Sequence, residues 1–312
     1  MNLTHLRYMV EVERQGSITK AAAALYMGQP NLSKAIKEME IEVGIPIFKR
    51  SAKGVVPTEK GQEFLQYAKA IIVQMDKMES LYKDTNENAI DFQLMVPRAS
   101  YIAYSFTEFL KKLENAESMD IRFKETNSFE AIDSIVECSC SLAIIRYEAQ
   151  NEEYFTSLLN EKNIKAQELW SYDYMVLMSK SSPLAASRVL DEKDLSEYIE
   201  ILHGDTELPG SSALQRRSRR LNSHKRHIYV FERGSQFDIL RSNPQTFMYV
   251  SPLPKKMLAE LNLVQRPIVQ KNKRNRDALI SLSSYRFSKT DTLFVDEVKK
   301  VIADIKRDEG LF

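Results

Sequence analysis

The sequence predicts a chain in two parts: an N-terminal all-α head of winged helix-turn-helix plan that runs into one long linker helix, and a C-terminal α/β body. Three observations predict it. Residues 1–57 hold three short segments with helical apolar spacing followed by a basic turn between apolar stretches. An apolar repeat of helical period then continues for some 25 residues from Thr58. From Asp91 onward the pattern changes to strands alternating with helices. The length, 312 residues, suits two or three domains.

Composition removes several classes. Hydrophobic residues make up 43%, which is ordinary for a globular chain and argues against wholesale disorder. Forty-four bases against 43 acids leave a formal charge of +1, so any case for a polyanionic partner has to be local. No apolar run reaches the ~18 residues of a membrane-spanning helix, and Met1 to His5 lack the basic-then-apolar plan of a signal peptide; the expectation is a cytoplasmic protein. Cys138 and Cys140 are the two cysteines, which excludes a disulfide framework and makes a poor metal site. Oxidation sensing by this pair needs accessible thiols. The sequence contains no P-loop, G-x-S-x-G, H-E-x-x-H or G-x-G-x-x-G, so no catalytic residue, metal or cofactor is expected.

Charge by segment is more informative. Residues 1–57 carry eight bases and five acids, residues 58–90 four bases and six acids. A basic head on a neutral body hints at a polyanion-binding module with a second task.

In the head, Leu3, Leu6, Met9 and Val10 space an amphipathic helix that ends near Gln15-Gly16. Ser17 is placed to cap the next helix, expected over 18–26, whose Ala21 to Ala24 permit close helix approach. Met27-Gly28 supplies a turn in which Gly28 can take positive φ. Gln29-Pro30 opens a third helix, with Pro30 suited to the first turn. Its inward stripe is Leu32, Ala35, Ile36 and Met39; its outer face is Asn31, Ser33, Lys34 and Lys37. Amides, hydroxyls and cations at a helix N-terminal end suit base edges and phosphates in the major groove. Ile45-Pro46-Ile47-Phe48 reads as a strand, Lys49 to Gly54 as a basic turn and Val55-Val56 as the returning strand, together a wing. The competing reading is a three-helix bundle with a merely solvated polar face.

Thr58 can cap the long helix. Phe64, Ala68, Ile71, Met75, Met78 and Tyr82 follow at gaps of four and three, a heptad seam expected to pair with a second subunit. The alternative is that this stripe packs on the chain's own body.

In the body, 92–96 reads as a strand, followed by the turn Pro97 to Tyr101 and a helix to about 115; 120–124 is the next strand; Ser128 can cap a helix to about 137; and 142–145 is a third strand. Such alternation predicts a parallel sheet, with ligands bound beyond the strands' carboxyl ends near helix N-termini. There the sequence places Arg98, Ser100, Tyr101, Thr126, Asn127, Ser128 and Arg146. Ser100 and Ser128 read equally well as helix caps. Arg98 or Arg146 favours an anionic effector if it faces inward, and a solvated arginine otherwise. Further strands are expected over about 165–178, 228–250 and 279–282, with a helix from near Ser211 and a last helical stripe over 298–305. The bases Arg216, Arg217, Arg219, Arg220, Lys225 and Arg226 form a run open to two readings, a second polyanion or effector site or an exposed helix face.

Gly16-Ser17, Ala21 to Leu25, Gln29-Pro30-Asn31-Leu32-Ser33, Gly44-Ile45-Pro46-Ile47-Phe48-Lys49-Arg50 and Thr58-Glu59-Lys60-Gly61, in this order and spacing, resemble the LysR-type transcriptional regulators. Departures are Gly28 for a serine cap, Met39 and Pro57 for leucines, and, for arginines, Lys34 and Lys37, point charges without the bidentate fork. The resemblance implies an operator-binding transcriptional regulator, with Ser17, Gln29, Pro30, Asn31, Ser33, Lys34, Lys37, Arg50 and Lys53 on DNA. It implies an effector domain of two Rossmann-like subdomains, similar to periplasmic binding proteins, with the effector between them and His203 on the cleft wall although His203-Gly204 reads as a loop. The expected division is 1–57 for the head, 58–90 for the linker and 91–312 for the effector domain, its first subdomain at 91–165 and 268–312 and its second at 166–267. Expected partners are an inverted-repeat DNA duplex, a small-molecule effector and further copies in a homodimer or homotetramer, with RNA polymerase a candidate. A ligand-binding protein whose head serves in assembly is the rival.

Overall fold

The computed structural model describes residues 2–51, 54–83, 89–114, 116–204, 226–269 and 274–309. The chain divides into two compact units, one of Met1–Glu87 with Val136–Cys140 and the other of Asn88–Ile135 with Ser141–Phe312.

The first unit starts with α1 (Leu3–Gln15), capped by the Asn2 side chain on the Thr4 N–H at 2.9 Å and closed by Gly16 at φ +61°. Ser17 accepts from the Lys20 N–H at 3.4 Å and opens α2 (Ile18–Ala24), which stops before the expected end. The left-handed residue of the following turn is Tyr26 at φ +53°, not Gly28, which sits at φ −71° as the extended N-cap of α3 (Gln29–Val43). Tyr26 closes α2 through its N–H to the Ala23 carbonyl, and Met27 adds a bond to that of Ala22. Glycine at 28 therefore contributes a capless helix start rather than the turn itself.

Leu32, Ala35, Ile36 and Met39 are buried, as their spacing requires, against Leu6, Met9, Val12, Ala21 and Ala22. The wing is the antiparallel pair β1 (Phe48–Ser51) and β2 (Gly54–Pro57), so Lys49 and Arg50 lie within a strand, not in the turn. Glu40 of α3 fixes its entry, accepting the N–H of Ile47 at 2.8 Å and of Phe48 at 3.1 Å. Thr58 caps α4 (Glu59–Lys83) on the Gly61 N–H at 2.9 Å. A Cβ at Gly61 would stand 2.0 Å from the Ile47 carbonyl oxygen, so only glycine lets α4 start here.

The heptad seam splits. Ala68, with Leu65, is buried in the head's own core, and Phe64 packs against it, so these positions serve the fold rather than a partner. Ile71 and Met78 are exposed and Met75 half-buried; the Tyr82 side chain lies outside the described residues.

The second unit has two five-stranded sheets. The first, in order β4-β3-β5-β12-β6, contains β3 (Ala89–Val96), β4 (Ser118–Glu125), β5 (Leu142–Glu148), β6 (Ile164–Asp173) and β12 (Arg274–Leu282). The second, in order β11-β7-β10-β8-β9, contains β7 (Met175–Ser179), β8 (Ile199–His203), β9 (His227–Val230), β10 (Thr246–Val250) and β11 (Leu263–Pro267). Neither is wholly parallel. In the first, β3, β4 and β5 are parallel while β12 is antiparallel to both β5 and β6; in the second, β7 is antiparallel to β10 and β11. The antiparallel strands are those at which the chain crosses between sheets, because a strand arriving from the other sheet needs no right-handed helical crossover. The first crossing is a single residue, Tyr174, so β6 belongs wholly to the first sheet and the change of subdomain falls eight residues after the expected 166.

Helices α5 (Ser100–Lys111), α6 (Ser128–Val136) and α7 (Glu152–Glu161) follow β3, β4 and β5. The last helix, α10 (Lys289–Glu309), packs with α5, and together they bury Phe92, Leu94, Phe109, Trp170 and Phe294. In the second sheet β7 shows two-sided burial: Val176 and Met178 join one core, Leu177 the other, with α8 (Arg233–Ser242) and α9 (Lys255–Glu260) on the latter side. α8 and β8 were not expected as such. The helix expected from Ser211 and the bases from Arg216 to Lys225 lie outside the described residues. No described helix is long and apolar enough to cross a membrane. Neither cysteine is in a disulfide and both are buried, Cys138 at φ +55°.

Candidate nucleic-acid interface and effector site

In the head, α3 presents one polar face because its other face is consumed by the core. Gln29, Pro30, Asn31, Lys34 and Lys37 are exposed, and Ser33 is half-buried. Gln29 donates through Nε2 to the Ser33 hydroxyl at 2.9 Å, which holds both at the start of the helix. Lys34 reaches Glu38 at 3.7 Å, an exposed i,i+4 pair of little energetic weight. Ser17 is a helix cap in this structure, its oxygen occupied by the Lys20 N–H. Arg50 is exposed on β1, and Lys53 lies outside the described residues. Tyr26, 98% exposed, projects from the turn into α3. The N-terminal face of α3 and the strand with Lys49 and Arg50 can supply amides, a hydroxyl and cations to one duplex.

In the second unit the expected effector residues of the first sheet are brought together, but most of their polar groups are satisfied internally. Arg146 lies inside β5, which runs on to Glu148, and its guanidinium grips Asp277 of β12 with two bonds of 2.7 Å. It also donates to the Arg98 carbonyl at 3.3 Å and stands over the Tyr172 ring at 5.3 Å. Asp277, fully buried, accepts further bonds from Tyr101 at 2.6 Å and Tyr172 at 3.3 Å. The register of β12 against β6 shifts by one residue here, between Asp277 and Ala278. Burial opposes the Arg146 charge, yet Asp277 outweighs it and holds the guanidinium well above its ordinary pKa. Burial beside Asp277 likewise raises the Tyr101 phenol well above 10, and burial raises Tyr172. Arg146 is thus neither a solvated arginine nor an open anion site, and Tyr101 is committed to Asp277.

Ser128 is not a cap. Its hydroxyl donates to the Arg146 carbonyl at 2.7 Å and accepts the Arg146 N–H at 3.0 Å, tying α6 to β5. The cap is Asn127, whose Oδ1 accepts from Phe129 and Glu130 at 3.0 Å each. Thr126 is buried and bonds Glu130. Ser100 is buried at the start of α5, where Ala99 occupies the cap position without a side-chain bond. Arg98 is half-buried. His203 ends β8 rather than lying in a loop, on the second sheet, away from the first-sheet group in fold position.

Three residues escaped sequence reading: Asp277, Arg233 and Glu125. Arg233, first residue of α8, forms an ion pair with Glu125, last residue of β4, so the pair joins the two sheets' halves. Asp277 left one usable signal, a lone acid at the head of the apolar run Ala278-Leu279-Ile280. Arg233 and Glu125 left none, since their pairing depends on the tertiary fold.

A family model described as the bacterial regulatory helix-turn-helix protein, lysR family, matches residues 3–62. The RuBisCO operon transcriptional regulator of Allochromatium vinosum is 25% identical over 198 residues, 63% of this chain and 62% of that protein, so the match spans less than two thirds of its length. Among solved structures, a full-length OxyR variant from Pseudomonas aeruginosa superposes with a TM-score of 0.62 at 18% identity, covering 96% of this chain and 95% of that one. Full-length LysG from Corynebacterium glutamicum, with the effector Arg bound, gives a TM-score of 0.61 at 13% identity, covering 97% and 99%. These two share the fold of both units. Residues 3–62 of the chain are thus similar to the lysR family of bacterial helix-turn-helix regulators, and the chain as a whole shares the fold of full-length members.

Proposed function

We propose that the protein is a sequence-specific DNA-binding transcriptional regulator whose C-terminal unit senses a small-molecule effector. The observation that carries this reading is the exposed N-terminal face of α3, in a head that matches the lysR family model over residues 3–62. In this reading Gln29, Pro30, Asn31 and Ser33 meet base edges and backbone, while Lys34, Lys37, Arg50 and Lys53 neutralise phosphates. Ser17 contributes by orienting α2. Residues 1–57 form the DNA-binding part, 58–90 the linker, and 91–312 the effector domain, with its halves meeting at Tyr174. Ile71, Met75 and Met78 supply the dimer seam, and a two-fold assembly reads an inverted repeat because each half-site meets one head. RNA polymerase is the downstream partner, the cytoplasm the setting, and no catalytic step is assigned to the chain.

The effector shifts the assembly only if it prefers one arrangement over another. The two-sheet architecture and the structural likeness to an effector-bound regulator support a ligand between the halves, where Arg98, Ser100, Thr126, Asn127 and His203 are candidate contacts.

The test is binding to genomic fragments selected by the full-length protein, repeated across salt. Affinity is expected to fall steeply with salt, and Lys34→Ala with Lys37→Ala to weaken binding about tenfold or more and flatten the salt slope by about two. Salt-independent binding, or undiminished affinity in the double variant, would overturn the assignment of α3.

A further inference from the structure

The Arg233–Glu125 pair sits where the two halves of the second unit meet, and both side chains are largely buried, 17% and 18% exposed. Arg233 also stands 5.9 Å from the Phe237 ring, its charge enclosed rather than hydrated. Burial lowers its affinity for a proton, Glu125 opposes that shift, and the nearby charges of Arg146 and Arg98 add to the lowering. Arg146 is itself gripped by Asp277 through two bonds. Glu125 is the carboxylate recorded on Arg233 among the described residues. Three residues along the buried face of α8, Gln236 is 3% exposed and its Oε1 has no hydrogen-bond partner among the described residues. A buried acceptor in this state awaits a donor.

We propose that Glu125 is a tethered stand-in for the carboxylate of the effector, which displaces it from Arg233 and uses a donor group to satisfy Gln236. The ligand class is then a small carboxylate that also carries an N–H or O–H. Displacement frees the end of β4 from the start of α8, so ligand binding is coupled to the relation between the two halves. This deepens the effector half of the regulator reading and rests on it, while leaving the DNA half untouched.

Chemical rescue tests it on the full-length chain without DNA, using acetate as the probe. Glu125→Ala is expected to lower the melting temperature by about 5 °C or more. Acetate at about 50 mM should then recover half or more of that loss, with little effect on wild type because Glu125 occupies the place. Acetamide should recover none, and Glu125→Ala with Arg233→Met should show no acetate response. If Glu125→Ala does not fold, the milder Glu125→Gln is assayed by acetate titration and NMR of the Arg233 guanidinium, with a shift expected in the variant and none in wild type. Equal acetate effects on all chains, or none on any, would overturn the proposal. Failure of the DNA reading would show separately, as salt-independent DNA binding.

Discussion

The head and the effector unit treat polar side chains in opposite ways. On α3, Gln29, Asn31, Lys34 and Lys37 are exposed, and their recorded contacts stay within the helix or at its surface. In the second unit Arg146, Tyr101, Thr126 and Ser128 are withdrawn from solvent and bonded to partners in their own unit. A face meant for a large polyanion must stay open, because each phosphate contact forms only on binding. A unit that must hold two halves in a defined relation instead spends its charges internally, and a ligand then has to compete with those internal partners.

That contrast can be broken most forcefully at Asp277. Asp277→Ala leaves Arg146 buried without its carboxylate and is expected to destabilise the second unit by about 3–5 kcal/mol in urea unfolding, while the head's DNA affinity is unchanged at low denaturant. Arg146→Met with Asp277→Leu should cost much less than either single change, because no buried charge is orphaned. Similar losses for the single and double changes would mean that the pair is not the node described here.

The head is expected to fail through backbone packing instead. Gly61→Ala drives a methyl group to 2.0 Å from the Ile47 carbonyl oxygen, so α4 must shift, at a cost of about 1–3 kcal/mol read from thermal unfolding of the head. A neutral result would show that the wing and linker adapt freely. Tyr26→Gly should act in the reverse direction: the left-handed conformation burdens tyrosine and not glycine, so a gain of about 0.5–1 kcal/mol is expected. A loss would show that the exposed ring has contacts that the fold does not record.

The smallest effect concerns pH. The Tyr101 phenol is held above its ordinary value of 10, so its neutral form is favoured by folding. This contribution is complete below pH 10 and is lost as pH rises through the higher folded value. Tyr101→Phe should therefore flatten the alkaline decline in stability; an unchanged slope would place the decline elsewhere.

Much of the head was legible in the sequence because its determinants are local. Ser17 and Thr58 cap helices through bonds spanning three residues, and the Leu32 to Met39 stripe needs only one helix period. The failures there came from near-equal local options. Tyr26 takes the left-handed position although Gly28 was the cheaper occupant, and Lys49 and Arg50 pair in β1 instead of forming the turn. The linker seam misled for a different reason: Ala68 suits a partner helix and the head's own core equally, and only the packing of α4 on α1 decides. In the second unit Arg146 and Asp277 lie 131 residues apart, and Arg233 and Glu125 108 apart, so periodicity carries no trace of either pair.

The central claim is that the start of α3 lies against nucleotides. A photoreactive residue placed at Asn31, which is exposed and outside the core, tests this directly on the full-length protein with selected operator fragments. The account predicts crosslinks to bases within each half of the inverted repeat, lost as salt rises. Crosslinks confined to a second copy of the chain, with none to DNA, would contradict it.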